Sequence, residues 1–212
     1  MITLYMNIKL ISLICLWMLA ISTLTDASDM TADAYANKYY AILNVPRPAS
    51  SDVSDLDLMD TFFHQVPLAL QAEVLDQMLD KACGTGSKNN YRVIYPILVY
   101  VGVMSNLKIS ERFDAHLHDL ANNPFWGARR AALDLMIRLN RPKDQVRILA
   151  ALNDSHDDVR EIAVRAVGRQ SNAAIILQKY VQDHNSDPGY NRSVLDAKAQ
   201  LKALSLKASV DR

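Results

Sequence analysis

The chain has 212 residues, of which 50% are hydrophobic and 7% aromatic, and its formal net charge is zero. A neutral chain is not typical of dedicated nucleic-acid-binding proteins, which carry a clear excess of positive charge. Two cysteines are too few for a small scaffold held together by disulfides. The charge is unevenly placed, because residues 28–81 hold nine acidic and three basic side chains, whereas residues 82–212 hold nineteen basic and thirteen acidic ones.

Residues 1–27 have the features of a secretory signal peptide. Lys9 precedes an apolar run over residues 10–21 that only Ser12 interrupts, and small residues surround a cleavage position after Ala27. The run is shorter than the roughly 20 residues that cross a bilayer. Cleavage is therefore favoured, and an uncleaved membrane anchor remains the alternative. The pattern predicts a periplasmic or secreted protein that meets a membrane only if the leader is retained.

Residues 28–50 carry no strong pattern and are assigned as an irregular linker. Asn44-Val45-Pro46-Arg47-Pro48 is unfavourable for a helix. Tyr35, Tyr39 and Tyr40 lie near helical spacing, so a short helix is expected before that stretch.

Residues 51–106 are assigned as an N-terminal helical part. One helix is expected to start near Ser50-Ser51-Asp52, and a second runs from Gln71 to Cys83 and ends at Gly84. The Gly84-Thr85-Gly86-Ser87 stretch has the wrong spacing for a phosphate-binding P-loop. Residues 93–104 are apolar and rich in β-branched side chains, but Pro96 argues against a central strand and favours a buried helix.

Apolar residues recur at steps of three and four from residue 107 onward, which predicts six helices in succession. Three stretches in this region resemble one another: Asn-Pro-Phe-Trp-Gly-Ala-Arg at 123–129, Asp-Ser-His-Asp-Asp-Val-Arg at 154–160, and the shorter Asp-Pro-Gly-Tyr-Asn-Arg at 187–192. Their starts are 31 and 33 residues apart, which is typical of helical repeat proteins.

These stretches resemble the HEAT-like repeat, including the variant of phycobilisome lyases, over residues 107–205, with residues 206–212 left as a tail. The resemblance implies an all-α fold, a short α-solenoid of stacked helix pairs that follows an irregular helical N-terminal half. It also implies a polar ladder between repeats in which arginines pair with the capping residues. The ladder residues are Asn123, Arg129, Asp154, Arg160, Asp187 and Arg192.

No recognised catalytic arrangement occurs in the sequence. The chain lacks the Gly-x-Ser-x-Gly and His-Glu-x-x-His motifs. His116 and His118 are two residues apart and therefore point to different sides of a helix, which is poor geometry for a shared metal. Cys83, which ends an apolar helix, is expected to be a small core residue. We expect no catalytic residue, no metal and no cofactor.

The copies aligned at 31 residues place charged side chains four residues apart on one helix face, away from the apolar stripe. A mostly acidic protein partner would suit this surface, while a solvated face with internal salt bridges is the alternative. The candidate partner-binding residues are Arg130, Asp134, Arg138, Glu161, Arg165 and Arg169.

The function expected from this pattern is that of an exported protein-binding scaffold or adaptor, which includes an immunity-type inhibitor. Two alternatives remain open at this stage. One is a bilin-lyase-like or other enzyme on the same scaffold, and the other is a structural module of an envelope complex.

Overall fold

The computed structural model describes residues 30–43, 55–84, 91–104 and 109–210, and every regular element within these ranges is a helix. The all-α class is therefore confirmed for this part of the chain. The α-helices are α1 Ala32–Leu43, α2 Asp55–Phe63, α3 Leu68–Gly84, α4 Tyr91–Val103, α5 Glu111–Leu120, α6 Trp126–Leu139, α7 Gln145–Ala150, α8 Asp157–Val167, α9 Ala173–His184 and α10 Asn191–Val210. Short 3-10 segments at Pro142–Asp144, Ala151–Asn153 and Pro188–Tyr190 join the later helices.

The predicted leader, residues 1–27, lies outside the described residues. So does the predicted helix cap at Ser50-Ser51-Asp52. Within the described ranges, no helix combines the length and the apolar character that crossing a membrane requires.

Helix α1 occupies the stretch that the sequence pattern assigned to a linker. Its buried face carries Tyr35, Ala36 and Tyr39, none of which exposes more than 1% of its surface. The tyrosine rings pack on Phe62 of α2, with centroid distances of 6.2 and 5.0 Å. These side chains recur at helical spacing, so one face of the twelve-residue helix α1 lies in the core. The expected short helix is present, and it is a core element rather than part of a linker.

Residues 91–103 form helix α4, as the sequence predicted in spite of their β-branched content. Pro96 lies in the second turn, so it removes one hydrogen bond without ending the helix. Ile97 and Leu98 are buried, and Phe63 packs on Tyr100 with ring centroids 4.6 Å apart. Most of the helix surface is therefore covered, although Tyr95 and Val103 remain exposed.

Helix α6 joins two hydrophobic cores. Ala128, Ala132 and Met136 belong to the core formed with α1 to α5. Leu133 belongs instead to the core formed with α8 to α10, and Ile137 packs against it. The same helix therefore couples the N-terminal core to the C-terminal one.

From α4 onward, each even-numbered helix packs on the next even-numbered helix. Helix α4 packs on α6, α6 on α8, and α8 on α10, while α9 forms a hairpin with α10. Asn140 follows α6 as its C-cap. Its left-handed backbone, with φ of 48°, closes the last turn of the helix. Helix α10 continues to Val210, so it includes most of the segment that was expected to be a tail.

Candidate functional site: a groove lined by arginines

A groove with a volume of about 570 Å³ lies along helices α6, α8 and the start of α10. We call it the arginine groove. All six partner-binding residues predicted from the sequence line it. The complete lining consists of Arg130, Asp134, Ile137, Arg138, Asp158, Glu161, Ile162, Arg165, Ala166, Arg169 and Arg192. The groove thus combines five arginines and three carboxylates with an apolar floor, for a net charge of +2.

The spacing of the repeats explains why these side chains meet. Residues 31 apart occupy equivalent places on α6, α8 and α10, as the buried series Ala132, Ala163 and Val194 demonstrates. The charged positions follow the same spacing and form three rows across the helices. The first row is Arg130, Glu161 and Arg192; the second is Asp134, Arg165 and Asp196; the third is Arg138, Arg169 and Gln200.

This register gives Arg192 a different place from the one that the motif alignment assigned to it. The motif alignment made Arg192 the equivalent of Arg160 in the ladder, because it treated the third stretch as one residue shorter than the second. Burial in α10 follows the 31-residue spacing instead, because Val194 and Ala197 are its buried counterparts of Ala163 and Ala166. Arg192 therefore lies in the first row, beside Glu161, and it lines the groove.

Ion pairs join α8 to α10 across the groove. Arg192 contacts Glu161 at 2.8 Å and Asp158 at 3.2 Å. Arg165 contacts Asp196 at 3.0 Å and also Glu161, one turn earlier on its own helix, at 3.4 Å. The positive charge on this side of the groove is therefore largely matched by carboxylates of the same chain.

The side between α6 and α8 is different. Arg138 pairs with Asp134 on its own helix at 2.9 Å. Among the described residues, Arg130 and Arg169 have no ion-pair partner, and no ion pair inside the groove joins α6 to α8. Both of these arginines are exposed, and the partly buried Ile137 and Ile162 lie in the same groove.

The predicted polar ladder is best developed at Arg129. Its guanidinium donates to both carboxylate oxygens of Asp154, at 2.8 and 2.7 Å, and to the backbone carbonyl of Asn123 at 2.8 Å. Burial alone would raise the pKa of Asp154, but the hydrogen bonds from Arg129 and from the His156 amide outweigh it and hold that pKa below its ordinary value. The first two repeats are tied together by this contact.

The remaining ladder positions differ from the expected pairing. Arg160 is buried and donates to the backbone carbonyls of Asp154 and Gly189, while its guanidinium lies 4.1 Å above the Tyr190 ring. Asp187 accepts from the Gly189 amide at 2.9 Å, and no ion pair of Asp187 is found within the described residues. Arg160 also contacts Asp157 of its own helix at 2.8 Å. Its contacts toward α10 are the Gly189 carbonyl, the Ser193 hydroxyl and the Tyr190 ring, rather than a carboxylate.

The three residues that were predicted to cap helices have one geometry in common, although the N-cap residues of α6 and α8 are Phe125 and His156. Oδ1 of Asn123, Asp154 and Asp187 accepts the amide two residues ahead, at 2.9, 2.8 and 2.9 Å. Each therefore closes an Asx turn just before a helical segment begins. The local equivalence of the three stretches does not depend on the pairing of the arginines.

The histidines and the cysteine are placed as follows. His116 contacts Asp80 of α3, whereas His118 faces Asp144 at 3.6 Å, so the two rings lie on different sides of α5. Burial, followed by the negative charge of Asp119, raises the pKa of Cys83 to about 11. The described residues contain no group of three or more ligand side chains that could hold a metal ion.

The sequence pattern did not single out the buried carboxylate of Asp144. Its side chain is fully buried and accepts from Arg141 at 2.7 and 3.1 Å, and Arg141 also contacts Asp114 at 2.7 Å. The only available signal was an acidic residue shortly after Pro142, which is also typical of an exposed helix start. Sequence reasoning likewise missed Asp158 and Asp196, the carboxylates that contact Arg192 and Arg165.

The chain matches no protein-family model, no curated protein and no solved structure.

Proposed function

We propose that the protein is a binding scaffold for another protein and that the arginine groove is its docking surface. The observation that carries the proposal is that six residues chosen for their spacing line one groove, and that two of the six, Arg130 and Arg169, have no ion-pair partner among the described residues. Clustered positive charge in a concave surface accelerates association with an acidic partner and orients it. The proposal assigns the protein no catalytic reaction.

We also propose that residues 107–205 form a short HEAT-like solenoid that shapes this surface. Three observations support the proposal. Helices α6, α8 and α10 pack in succession, the three Asx turns have the same geometry, and Arg129 ties one repeat to the next. The HEAT-like resemblance implies that such second helices line the concave side of the stack. The groove lies on these helices.

The exposure of the charges supports a role in binding more than in folding. The side chains of Arg165 and Arg192 expose 53% and 63% of their surface, and exposed ion pairs contribute only about 0–1 kcal/mol to stability. Arg130 and Arg169 are in no ion pair within the part of the chain that the structure describes. The charges of this groove therefore contribute little to folding, which is compatible with a surface that meets a partner.

The location proposed for this interaction is the periplasm or the extracellular space. It rests on the signal-peptide pattern of residues 1–27. The mature chain should begin near Ser28, and intact mass spectrometry of the fractionated protein measures this directly. A full-length chain recovered from the soluble cytoplasm would contradict the proposed location, without bearing on the groove.

The test of function is affinity capture from the envelope fraction of the producing cells, followed by mass spectrometry. Three forms are compared: the parent, Arg130→Gln with Arg169→Gln, and Lys179→Gln with Lys198→Gln. The last form removes the same charge from α9 and α10, outside the groove lining. The parent and the lysine control should retain a common acidic protein that the arginine variant loses. A partner retained equally by all three forms would overturn the docking surface.

A further inference from the structure

The arginine groove consists of two halves that use their charges differently. In the half between α8 and α10, Arg165 and Arg192 already contact carboxylates of the neighbouring helix. In the half between α6 and α8, Arg130 and Arg169 are without ion-pair partners among the described residues. We call the second one the open half; Ile137 and Ile162 line it between the arginines.

We propose that the open half binds an acidic, amphipathic segment of the partner, with one carboxylate on Arg130, another on Arg169 and an apolar side chain between them. This inference rests on the proposed function, since it names the part of the groove that is used and the chemistry of the segment that fits it.

Carboxylates of the chain itself already contact the arginines of one half of the groove, which is why we place the partner's segment in the open half. A carboxylate that approaches Arg192 must displace Glu161 and Asp158, and one that approaches Arg165 must displace Asp196. A carboxylate that approaches Arg130 or Arg169 competes with no carboxylate that is paired to either arginine among the described residues. It exchanges hydrogen bonds to water for a charge-assisted hydrogen bond to the guanidinium.

The floor of the open half explains why the segment should be amphipathic. Ile137 and Ile162 are partly exposed, and both line the groove together with the buried Ala166. An apolar side chain placed on this floor removes hydrocarbon surface from water on both partners. A segment made only of acidic residues would leave that surface uncovered.

The rows give an approximate spacing for the acidic residues of the segment. Contact between Arg129 and Asp154 holds the start of α6 beside the turn that leads into α8, so the two helices run side by side in the same direction. Arg130 is in the first row, and Arg169 is in the third, two residues beyond the end of α8. Eight positions correspond to about 12 Å along a helix, and packed helices are about 8–10 Å apart, so the two positions are about 15 Å apart. Two residues four or five apart in an extended segment span about 13–17 Å.

The test uses a display library of random twelve-residue peptides selected on the full chain. We expect enrichment of peptides with two acidic residues four or five apart and an apolar residue between them. The strongest peptide is then synthesised and its affinity is measured by fluorescence anisotropy. Arg130→Gln with Arg169→Gln should weaken it by about tenfold or more. The double variant Lys179→Gln with Lys198→Gln should change it by less than about threefold, because these lysines lie outside the groove lining. Arg192→Gln should weaken it less than the Arg130→Gln with Arg169→Gln variant does, because Arg192 already contacts Glu161 and Asp158.

Three results would overturn the inference: enrichment without acidic residues, an affinity that the Arg130→Gln with Arg169→Gln variant retains, or a larger loss with Arg192→Gln than with that variant. A common melting temperature for all forms shows that the losses concern binding. If the library gives no acidic segment but envelope capture still depends on Arg130 and Arg169, the proposed function stands and the linear segment is rejected. If capture does not depend on them either, both fail.

Discussion

The helices before residue 104 and those after residue 109 are held together by different kinds of side chain. In the first region, tyrosine and phenylalanine rings of α1, α2 and α4 pack on one another, with Phe62 and Phe63 at the centre. In the second, small residues such as Ala163 and Ala197 let helices approach, and arginines cross from one helix to the next. Among the described residues, the aromatic contacts of the first region have no counterpart at a fixed spacing, whereas buried small residues recur 31 residues apart in the second, at Ala132, Ala163 and Val194. The same spacing leaves rows of equivalent polar positions on the surface, although the arginine contacts differ from one joint to the next.

The largest expected effect lies in the aromatic region. Phe63 is fully buried and contacts both Phe62 and Tyr100. Replacing Phe63 with Ala should lower the free energy of unfolding by about 3–5 kcal/mol, because it removes apolar contacts and leaves a cavity. Urea denaturation measures this, with Leu68→Ala as the control, since Leu68 is 81% exposed. An effect of Phe63→Ala as small as that of the control would contradict the aromatic core.

In the region after residue 109, the substitution expected to lower stability is one that adds volume to the core rather than one that leaves a cavity. Ala163 is fully buried on α8, which packs on both α6 and α10. Ala163→Leu should therefore cost about 1–3 kcal/mol. The same change at Ala174, which is exposed on α9, provides the matched control. Equal melting temperatures for the Ala163→Leu variant and the parent would mean that these helices do not meet as described.

The ladder contact predicts a smaller effect that depends on pH. The pKa of Asp154 is held below its ordinary value in the folded chain, so its contribution to stability is present above about pH 4 and is lost as pH falls through the folded pKa. Asp154→Asn keeps the Asx turn, as Asn123 does, and should cost about 1 kcal/mol at pH 7.

That difference between parent and Asp154→Asn should shrink when urea denaturation is repeated near pH 3. The control is Asp183→Asn, because Asp183 forms an exposed pair with Lys179. A difference of the same size at both pH values would show that the charge of Asp154 does not stabilise the joint.

The smallest effect on stability is expected at Cys83. Because burial raises its pKa to about 11, the thiol remains protonated at neutral pH and should react with a disulfide reagent more slowly than an ordinary exposed cysteine. Cys83→Ala and Cys83→Ser should both retain the partner, with serine the less stable of the two. Loss of the partner from two well-folded Cys83 variants would instead assign the thiol a part in binding.

The groove was predictable because one number, the 31-residue spacing, places the charged residues on equivalent helix positions. Helix α4 was also predictable, since Pro96 excludes a central strand. The place of Arg192 in the first row was not predictable, because the motif at 187–192 does not by itself show that α10 follows the 31-residue spacing. The burial of Asp144 was hidden as well, since Arg141 and Asp114 meet it only after α5 and the loop before α7 have packed.

The ion pairs of Arg165 make its charge-reversal variant a poor test of the groove. Reversing its charge would set a carboxylate against Glu161 and Asp196, so Arg165→Glu would alter the joint between α8 and α10 as well as the groove. Arg130 and Arg169 do not have this drawback, because neither is in an ion pair among the described residues.

The central claim is that the charges of the open half serve binding and not folding. Its most direct test is envelope capture by the charge-reversal variant Arg130→Glu with Arg169→Glu. The variant should unfold within about 0.5 kcal/mol of the parent, as is usual for exposed sites, and should retain none of the parent's acidic partner. Undiminished capture of that partner by the folded variant would contradict the claim.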